Sequence, residues 1–480
     1  MISNKVMTSL KTILFASFIF LQNSCDNKDM PNYAPPVVGT TDAKFYLTTP
    51  SKSSLLQLQT NGITPLTTNN NFTINVNEGT TYQKMDGFGY TLTGGSAMLI
   101  NNMSQTAKNS LLQELFGKGE NSIGVSYLRI SIGASDLDAS VFTYNDLPAG
   151  QTDVNQANFS IAPDLTHLIP VLKEIKAINP NVILLATPWT APTWMKTNGA
   201  SIGGSLMTAY YASYANYFVK YIQAMNANGI AIDAITIQNE PENPHNNPSM
   251  VMTAPEQRDF IKNNLGPVFQ ANNITTKIIT FDHNLDNVNY SISILNDPAA
   301  KAFIDGSAFH LYAGQIDNMS QVHNAHPDKN VYFTEQWVQA PGNFPDDIKW
   351  HFRELVIGAP RNWSKTVLEW NLAADPNNNP HTPGGCTECL GAITINGSNV
   401  VRNSAYYIIA HASKFVPTGS TRIESNTSVE LPNVAFKTPD NKIVVIVLNN
   451  TGAQKSFNIN AGGKPVSTML SAGSVGTYVW

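Results

Sequence analysis

Eight short β-rich runs alternating with helical segments, further strand-like runs at both chain ends, and a length of 480 residues predict an α/β protein: a (β/α)8 TIM barrel with a β-sandwich side domain. The length exceeds one ordinary domain and leaves room for a large barrel and a smaller companion. In chain order the barrel runs are 87–93, 125–132, 182–187, 234–239, 277–281, 308–312, 331–335 and 366–370, the number that closes such a barrel. Helices fall in the gaps. Leu165, Leu168, Ile169, Leu172 and Ile175 recur at helical spacing, and Thr253-Ala254-Pro255-Glu256 reads as a capping-box start with proline in the first turn. Runs 44–47 and 72–76 precede the barrel, and runs 434–437, 442–448, 456–459 and 475–480 follow it. Neither end alone has enough strands to bury a core, so the two are expected to combine into one sandwich. The chain then divides into a signal peptide (1–24), a tether (25–42), the barrel (83–399) and a sandwich made of 43–82 with 400–480.

Composition narrows the class of function. Charged residues make up 13% and hydrophobic ones 42%, which fits a compact globular chain and excludes a disordered or coiled-coil one. A net charge of -5 with no basic block offers nothing to nucleic acid or to an anionic membrane surface, while a neutral partner such as a sugar is compatible with it. At the N-terminus, Lys5 and Lys11 supply positive charge ahead of an apolar run over 12–21 that is too short to span a bilayer, an export-signal pattern. Cys25 after the small Ser24 resembles the acylated cysteine of bacterial lipoproteins, and Asp26-Asn27-Lys28-Asp29 resembles the tail of surface-exported ones, although Gln22 stands where such signals hold leucine. The expected location is therefore secreted or on the outer membrane or cell surface of a bacterium. Membrane contact is expected only through a lipid anchor.

Setting Cys25 aside leaves Cys386 and Cys389, and in an oxidising compartment this pair most simply forms a local disulfide. The preceding Pro383-Gly384-Gly385 is loop chemistry rather than the helix start of a redox motif, and half a zinc site would need two further ligands. The nine histidines show no ligand spacing and no phosphate-binding glycine loop follows a strand, so neither metal nor cofactor is expected.

In a barrel of this kind the C-terminal strand ends carry the chemistry. Glu240 is expected to end the fourth strand in Ile237-Gln238-Asn239-Glu240-Pro241, and Glu335 the seventh in Val331-Tyr332-Phe333-Thr334-Glu335. Cleaving a glycosidic bond takes two such carboxyls, one to protonate the leaving oxygen and one to attack or to activate water. Strands four and seven lie on roughly opposite walls, which brings glutamate side chains to about 5–5.5 Å, the retaining separation. Each glutamate is expected to lie near tryptophan, Trp189 and Trp337 being examples, as a sugar-stacking site requires.

Over about 83–415 the chain resembles glycoside hydrolase family 30, the group that includes lysosomal acid β-glucosidase (glucosylceramidase) and β-1,6-glucanases. The resemblance is carried by Gly87-Phe88-Gly89, Tyr127-Leu128-Arg129, Ala134-Ser135-Asp136, Thr187-Pro188-Trp189-Thr190-Ala191-Pro192-Thr193-Trp194-Met195-Lys196-Thr197-Asn198-Gly199, Gln238-Asn239-Glu240-Pro241, Phe309-His310-Leu311-Tyr312, Thr334-Glu335 and Glu369-Trp370-Asn371-Leu372-Ala373. It implies net retention, Glu240 as acid/base and Glu335 as nucleophile. It also implies that Arg129 holds the nucleophile, Asn239 bonds the sugar 2-hydroxyl, Trp189 and Trp370 wall the site, and His310 and Tyr312 line it.

Each of these has a plainer alternative, an ion pair for Arg129, core packing for the tryptophans and a satisfied core histidine for His310. For Asp136, His283 and Trp194 the structural role is the leading expectation. One departure bears on specificity. Where glucosylceramidases are expected to carry an aspartate after Ala-Met-Thr, this chain reads Thr91-Leu92-Thr93-Gly94-Gly95, so a strictly exo-acting glucose pocket is not expected. The loop over 383–390 resembles that of the β-1,6-glucanase members. The expected substrate is an extracellular β-1,6-glucan, with β-glucosidase, glucosylceramidase-like or β-xylanase specificity as alternatives and a non-catalytic surface glycan-binding lipoprotein as the rival outside enzymes.

Overall fold

The computed structural model describes residues 41–480. The expected signal peptide, Cys25 and all but the last two residues of the tether lie outside the described residues.

Eight parallel strands close into a barrel: β1 (Gly87–Thr91), β2 (Tyr127–Ile132), β3 (Ile183–Pro188), β4 (Ala234–Thr236), β5 (Lys277–Asn284), β6 (Ile304–His310), β7 (Asn330–Glu335) and β8 (Ser364–Asn371). They follow chain order round the barrel, and β8 closes it on β1. Each expected run holds a strand, although the one at 234–239 ends at Thr236, and Thr253 with Glu256 forms the expected capping box at the start of helix Ala254–Phe260. The strands are covered on one face by helices and filled on the other by the lumen. They therefore read as near-continuous apolar runs rather than as an alternation.

Tyr127, Leu185, Ala234, Ile279, Ala308, Tyr332 and Leu368, one from each of β2 to β8, plug the lumen, and none is more than 1% exposed. Two residues further along, the pleat returns the same face. There the side chains are Arg129, Thr187, Thr236, His310, Thr334 and Trp370, a polar layer resting on an apolar one. Strand β5 departs from this period. Alternation from Ile279 would aim Phe281 inward and Asp282 outward, but the pairing with β6 passes from Phe281 to His283 and skips Asp282. Phe281 and Asp282 both have φ of 73°. This bulge turns Asp282 into the lumen. Gln257 on the capped helix holds it there, its Oε1 accepting the Phe281 N–H at 2.9 Å and the Thr280 hydroxyl.

The two chain ends build one ten-stranded sheet folded into a sandwich. Strand Lys44–Thr48 pairs with Val475–Val479, and the long strand Phe72–Lys84 pairs with Thr421–Ser425 along one stretch and Lys455–Asn460 along another. Strand Ile443–Leu448 shows how the two domains share a core. Ile443, Val445 and Val447 face the sandwich interior with Phe45, Phe457 and Tyr478, whereas Val444, Ile446 and Leu448 join the core of the barrel. Helix Ser404–Ser413, beyond the expected boundary at 399, packs on β1 and β8, and sandwich strands resume at Thr421. Strands Gln57–Gln59, Ile63–Pro65, Thr421–Ser425 and Val466–Leu470 are absent from the sequence reading.

Candidate active site

The polar and charged groups at the barrel mouth converge on two carboxylates, Glu240 and Glu335. Glu335 is the last residue of β7, as expected. Glu240 is not at a strand end: the β4 ladder stops at Thr236, and the chain continues between β3 and β5 through two single bonds, Asn239 N–H to the Pro188 carbonyl at 2.8 Å and Glu240 N–H to the Asp282 carbonyl at 3.0 Å. Glu240 has φ of 45°, a left-handed conformation that costs a side-chain-bearing residue on the order of 1–2 kcal/mol. Strands β4 and β7 have only β5 and β6 between them on one side, so they are not diametrically opposed. Even so, a carboxylate oxygen of Glu240, one of Glu335 and a His310 ring nitrogen lie within 4.8 Å of one another.

Arg129, on β2 and without solvent contact, organises the centre. Its guanidinium donates to Glu335 Oε2 at 2.5 Å, Asn239 Oδ1 at 2.7 Å and Asp282 Oδ2 at 2.8 Å, and it lies 4.8 Å from the Trp189 ring centroid. Asp282 also accepts from the Thr236 and Thr334 hydroxyls at 2.8 and 2.7 Å. Burial alone would raise this carboxyl, but Arg129, His310 and Thr334 hold it far below the usual carboxylate range. His310, the last residue of β6, faces Asp282 Oδ1 at 3.1 Å through Nε2, and through Nδ1 it faces Glu240 Oε1 at 3.3 Å and Glu335 Oε1 at 3.6 Å. Burial works against its charge, yet the three carboxylates outweigh it and push the imidazole up to about 9. A protonated His310 donates to both sides.

Around Glu240, burial is opposed by His310, His283 and Asn243, which leave its carboxyl lowered to about 2. Asn243 and Asn246 donate to its Oε2 at 2.7 and 3.2 Å. Glu335 is raised, since burial outweighs the opposing charges of His310 and Arg129. The Tyr312 hydroxyl donates to its Oε1 at 2.9 Å. Above this centre a cleft of about 220 Å³ is walled by Trp189, Trp370, Trp337, Asp136 and the Cys386–Cys389 disulfide. Glu240, His310 and Glu335 also have the spacing to hold a cation, but the Arg129 guanidinium on Glu335 and a protonated imidazole between the carboxylates oppose one.

The structure thus brings together Glu240, Glu335, Arg129, Trp189, Asn239, His310, Tyr312 and Trp370. Trp194 takes the structural role, its Nε1–H bonded to the Asn145 carbonyl at 2.9 Å. His283 is buried beside the centre with Nδ1 unpartnered, 3.8 Å from Glu242. Asp136 stands in the cleft wall, where burial and the two glutamates push it up to about 7. The cleft therefore has a wall carboxylate despite the glycine at 94, where a Cβ would lie 1.7 Å from the carboxylate of Asp138. Asp282, Asn243 and Asn246 are absent from the sequence reading. An asparagine pair just after Asn-Glu-Pro was a readable signal, whereas Asp282 had none.

A barrel whose mouth holds two carboxyls this close, beside tryptophan walls, defines a retaining glycoside hydrolase. Residues 85–416 match the model of the glycosyl hydrolase family 30 TIM-barrel domain, and residues 419–478 that of the family's beta sandwich domain. The chain belongs to glycosyl hydrolase family 30. It is 32% identical to endo-1,6-beta-D-glucanase BGN16.3 of Trichoderma harzianum over 83% of this chain and 84% of that enzyme. It is 28% identical to the lysosomal acid glucosylceramidase of Mus musculus over 83% and 81%. Among solved structures, the endo-beta1,6-glucanase BT3312 superposes with a TM-score of 0.86 at 35% identity, covering 92% of this chain and 99% of that one.

Proposed function

We propose that this protein is an extracellular β-1,6-glucanase acting by double displacement, with Glu335 as nucleophile and Glu240 as acid/base. The observation that carries the linkage is the likeness to two endo-1,6-glucanases at 32% and 35% identity, against 28% for a glucosylceramidase. In the first step Glu240 protonates the glycosidic oxygen while Glu335 attacks the anomeric carbon, giving a glycosyl ester. In the second, Glu240 takes a proton from the incoming water, which releases the sugar with its configuration retained.

Position supports these roles. Both oxygens of Glu335 are gripped, by Arg129 and by Tyr312, which fixes them for attack. In the free cleft the acidities run the other way, with Glu240 low and Glu335 raised. A sugar seated over the pair excludes water and disfavours the Glu240 charge, and the protonated His310 is the adjacent proton source, so the two groups titrate as a unit. Asn239 has its carbonyl oxygen on Arg129, leaving its amide hydrogens for the sugar 2-hydroxyl. Trp189 and Trp370, with ring centroids 5.4 Å apart, wall the same site.

Hydrolysis of a linear β-1,6-glucan, with gentio-oligosaccharides as products, tests the linkage. A protein that leaves this polymer intact while cleaving glucosylceramide or β-1,4-xylan efficiently would overturn it. For the roles, Glu240→Ala should spare glycosylation by substrates with activated leaving groups and yield a β-glycosyl azide when azide is added. An α-azide would exchange the two roles. Asp136 in the cleft wall favours a second reading, release of terminal glucose, and glucose as the sole early product would establish it. We also propose attachment to the cell surface through an acylated Cys25. Palmitate labelling in the native host should be abolished by Cys25→Ser.

A further inference from the structure

The loop over 382–390 is stapled by the Cys386–Cys389 disulfide and touches three separate walls of the cleft. Towards the loop after β2, the Cys386 N–H donates to Asp136 Oδ2 at 3.3 Å and the Thr382 N–H to the Asp136 carbonyl at 2.8 Å. Towards the loop that holds Glu240, the Asn247 amide donates to the Pro383 carbonyl at 2.8 Å, and the Thr382 hydroxyl donates to the Asn247 carbonyl. Towards the segment leaving Glu335, Val338 and Gln339 pair in a short antiparallel ladder with Leu390 and Cys389, and the Ala340 N–H bonds the Glu388 carbonyl at 2.7 Å. Cys389 is 4% exposed and packs in one cluster with Trp189, Trp370 and Leu137.

We propose that the Cys386–Cys389 disulfide loop is the positioning element of the sugar site, holding Asp136 in place against the substrate and tying the acid/base loop to the exit of the nucleophile strand. The inference rests on the glycosidase reading of the cleft. Its chemistry is that of a short covalent brace. A four-residue ring presents one backbone N–H to a buried carboxylate while its cysteines pack in one cluster with the tryptophans. Without the brace, only separate hydrogen bonds at the ends of a glycine-rich loop hold that N–H in register. The fit is tight on its other side as well. A Cβ at Gly385 would lie 2.4 Å from the Asp136 carbonyl oxygen, so the loop seats on Asp136 only because residue 385 has no side chain.

The test is a double-mutant cycle between the loop and Asp136, read on a β-1,6-glucan and on an aryl β-glucoside. Activity of the wild type on the two substrates tests the glycosidase and linkage readings by itself. Within it, Cys386→Ser with Cys389→Ser should lower kcat/KM on the substrate the wild type cleaves by about 10- to 100-fold. The loss should fall mainly on KM, and the unfolding temperature should stay close to that of the wild type because the closed ring is short. Gly385→Ala should do the same with the disulfide intact. Asp136→Asn should also lower kcat/KM, and adding either loop change to it should cost little more, because the loop acts mainly by placing the Asp136 carboxylate. Full additivity with Asp136→Asn, or wild-type kinetics in both loop variants, overturns the proposal. If the double serine variant does not accumulate as folded protein, the cycle with Gly385→Ala decides in the same way.

Discussion

Arg129 balances the charge of the cleft from a fully buried position. Its guanidinium is fully buried between Glu335, Asp282 and Asn239, and the neighbouring carboxylates keep it charged against the cost of burial. Removing it strands two carboxylates in a low-dielectric site, and breaking a buried pair in this way costs about 3–5 kcal/mol. Its effect on activity has a definite sign. Burial raises the Glu335 carboxyl, while His310 and Arg129 pull it down. With Arg129→Ala one of the two opposing charges is gone, so the carboxyl rises further and a smaller fraction is ionised at any given pH. Only the ionised form attacks. The acidic limb of kcat/KM should therefore move to higher pH, a shift read directly from a pH–rate profile. A lowered rate with an unmoved limb would make Arg129 a purely structural residue.

At the scale of elements, the β5 bulge decides where the chemistry sits. Gln257 receives both the Phe281 N–H and the Thr280 hydroxyl on one oxygen, and so fixes the two positive-φ residues that aim Asp282 inward. In Gln257→Ala the Phe281 N–H loses its acceptor inside the protein, at a cost of about 1–3 kcal/mol in unfolding free energy. Asp282 then loses its alignment on Arg129 and His310, and kcat should fall by about tenfold or more with KM little changed. A wild-type kcat in the destabilised variant would show that the bulge does not need this brace. The same element marks the limit of what the sequence reveals. Glu335 is legible because it ends an apolar strand where a barrel carries its chemistry, and Arg129 because it is a charge within an apolar strand whose role the family resemblance supplies. Asp282 is illegible because the period of two sends it outward, and only the register slip against β6 reverses that. Glu240 is legible as a residue but not as a geometry, since Ile237 to Asn239 look like strand yet make no ladder. The loop over 382–390 is legible as a disulfide, while its three tertiary contacts are not local properties of any segment. Of the sandwich strands not read, Gln57–Gln59 is a polar edge, and Thr421–Ser425 carries an arginine whose burial comes from the face of Tyr82, 3.3 Å away.

At the scale of the molecule, His411 joins the two domains. It lies on helix Ser404–Ser413 of the barrel, fully buried, with Nδ1 2.8 Å from the Thr477 hydroxyl and Nε2 2.7 Å from the Thr48 hydroxyl. Those two threonines come from opposite ends of the chain, so a single imidazole ties both ends of the sandwich to the barrel. Burial, with no carboxylate to offset it, lowers this imidazole to about 3, so it stays neutral and uses both nitrogens as donor and acceptor. In the unfolded chain the group titrates at about 6.5. Below that pH the unfolded chain takes up a proton that the folded one refuses. The stability contributed by neutral His411 is therefore intact above about pH 6.5 and is lost as the pH falls towards 3, at about 1.4 kcal/mol per unit. Between pH 6.5 and 4.5 the loss amounts to about 2 kcal/mol, since the slope is still building near the unfolded pKa. His411→Gln keeps a donor and an acceptor but does not titrate. At pH 7 the variant should be the less stable protein, because the amide fits the two hydroxyls less well. As the pH is lowered its stability should fall less steeply than that of the wild type, and denaturant unfolding at pH 7, 5.5 and 4.5 should show the difference between the two shifting by about 2.5 kcal/mol in the variant's favour. Parallel pH dependences in the two proteins would mean that His411 takes up a proton within the fold, and that the junction between the domains opens before the rest of the molecule does.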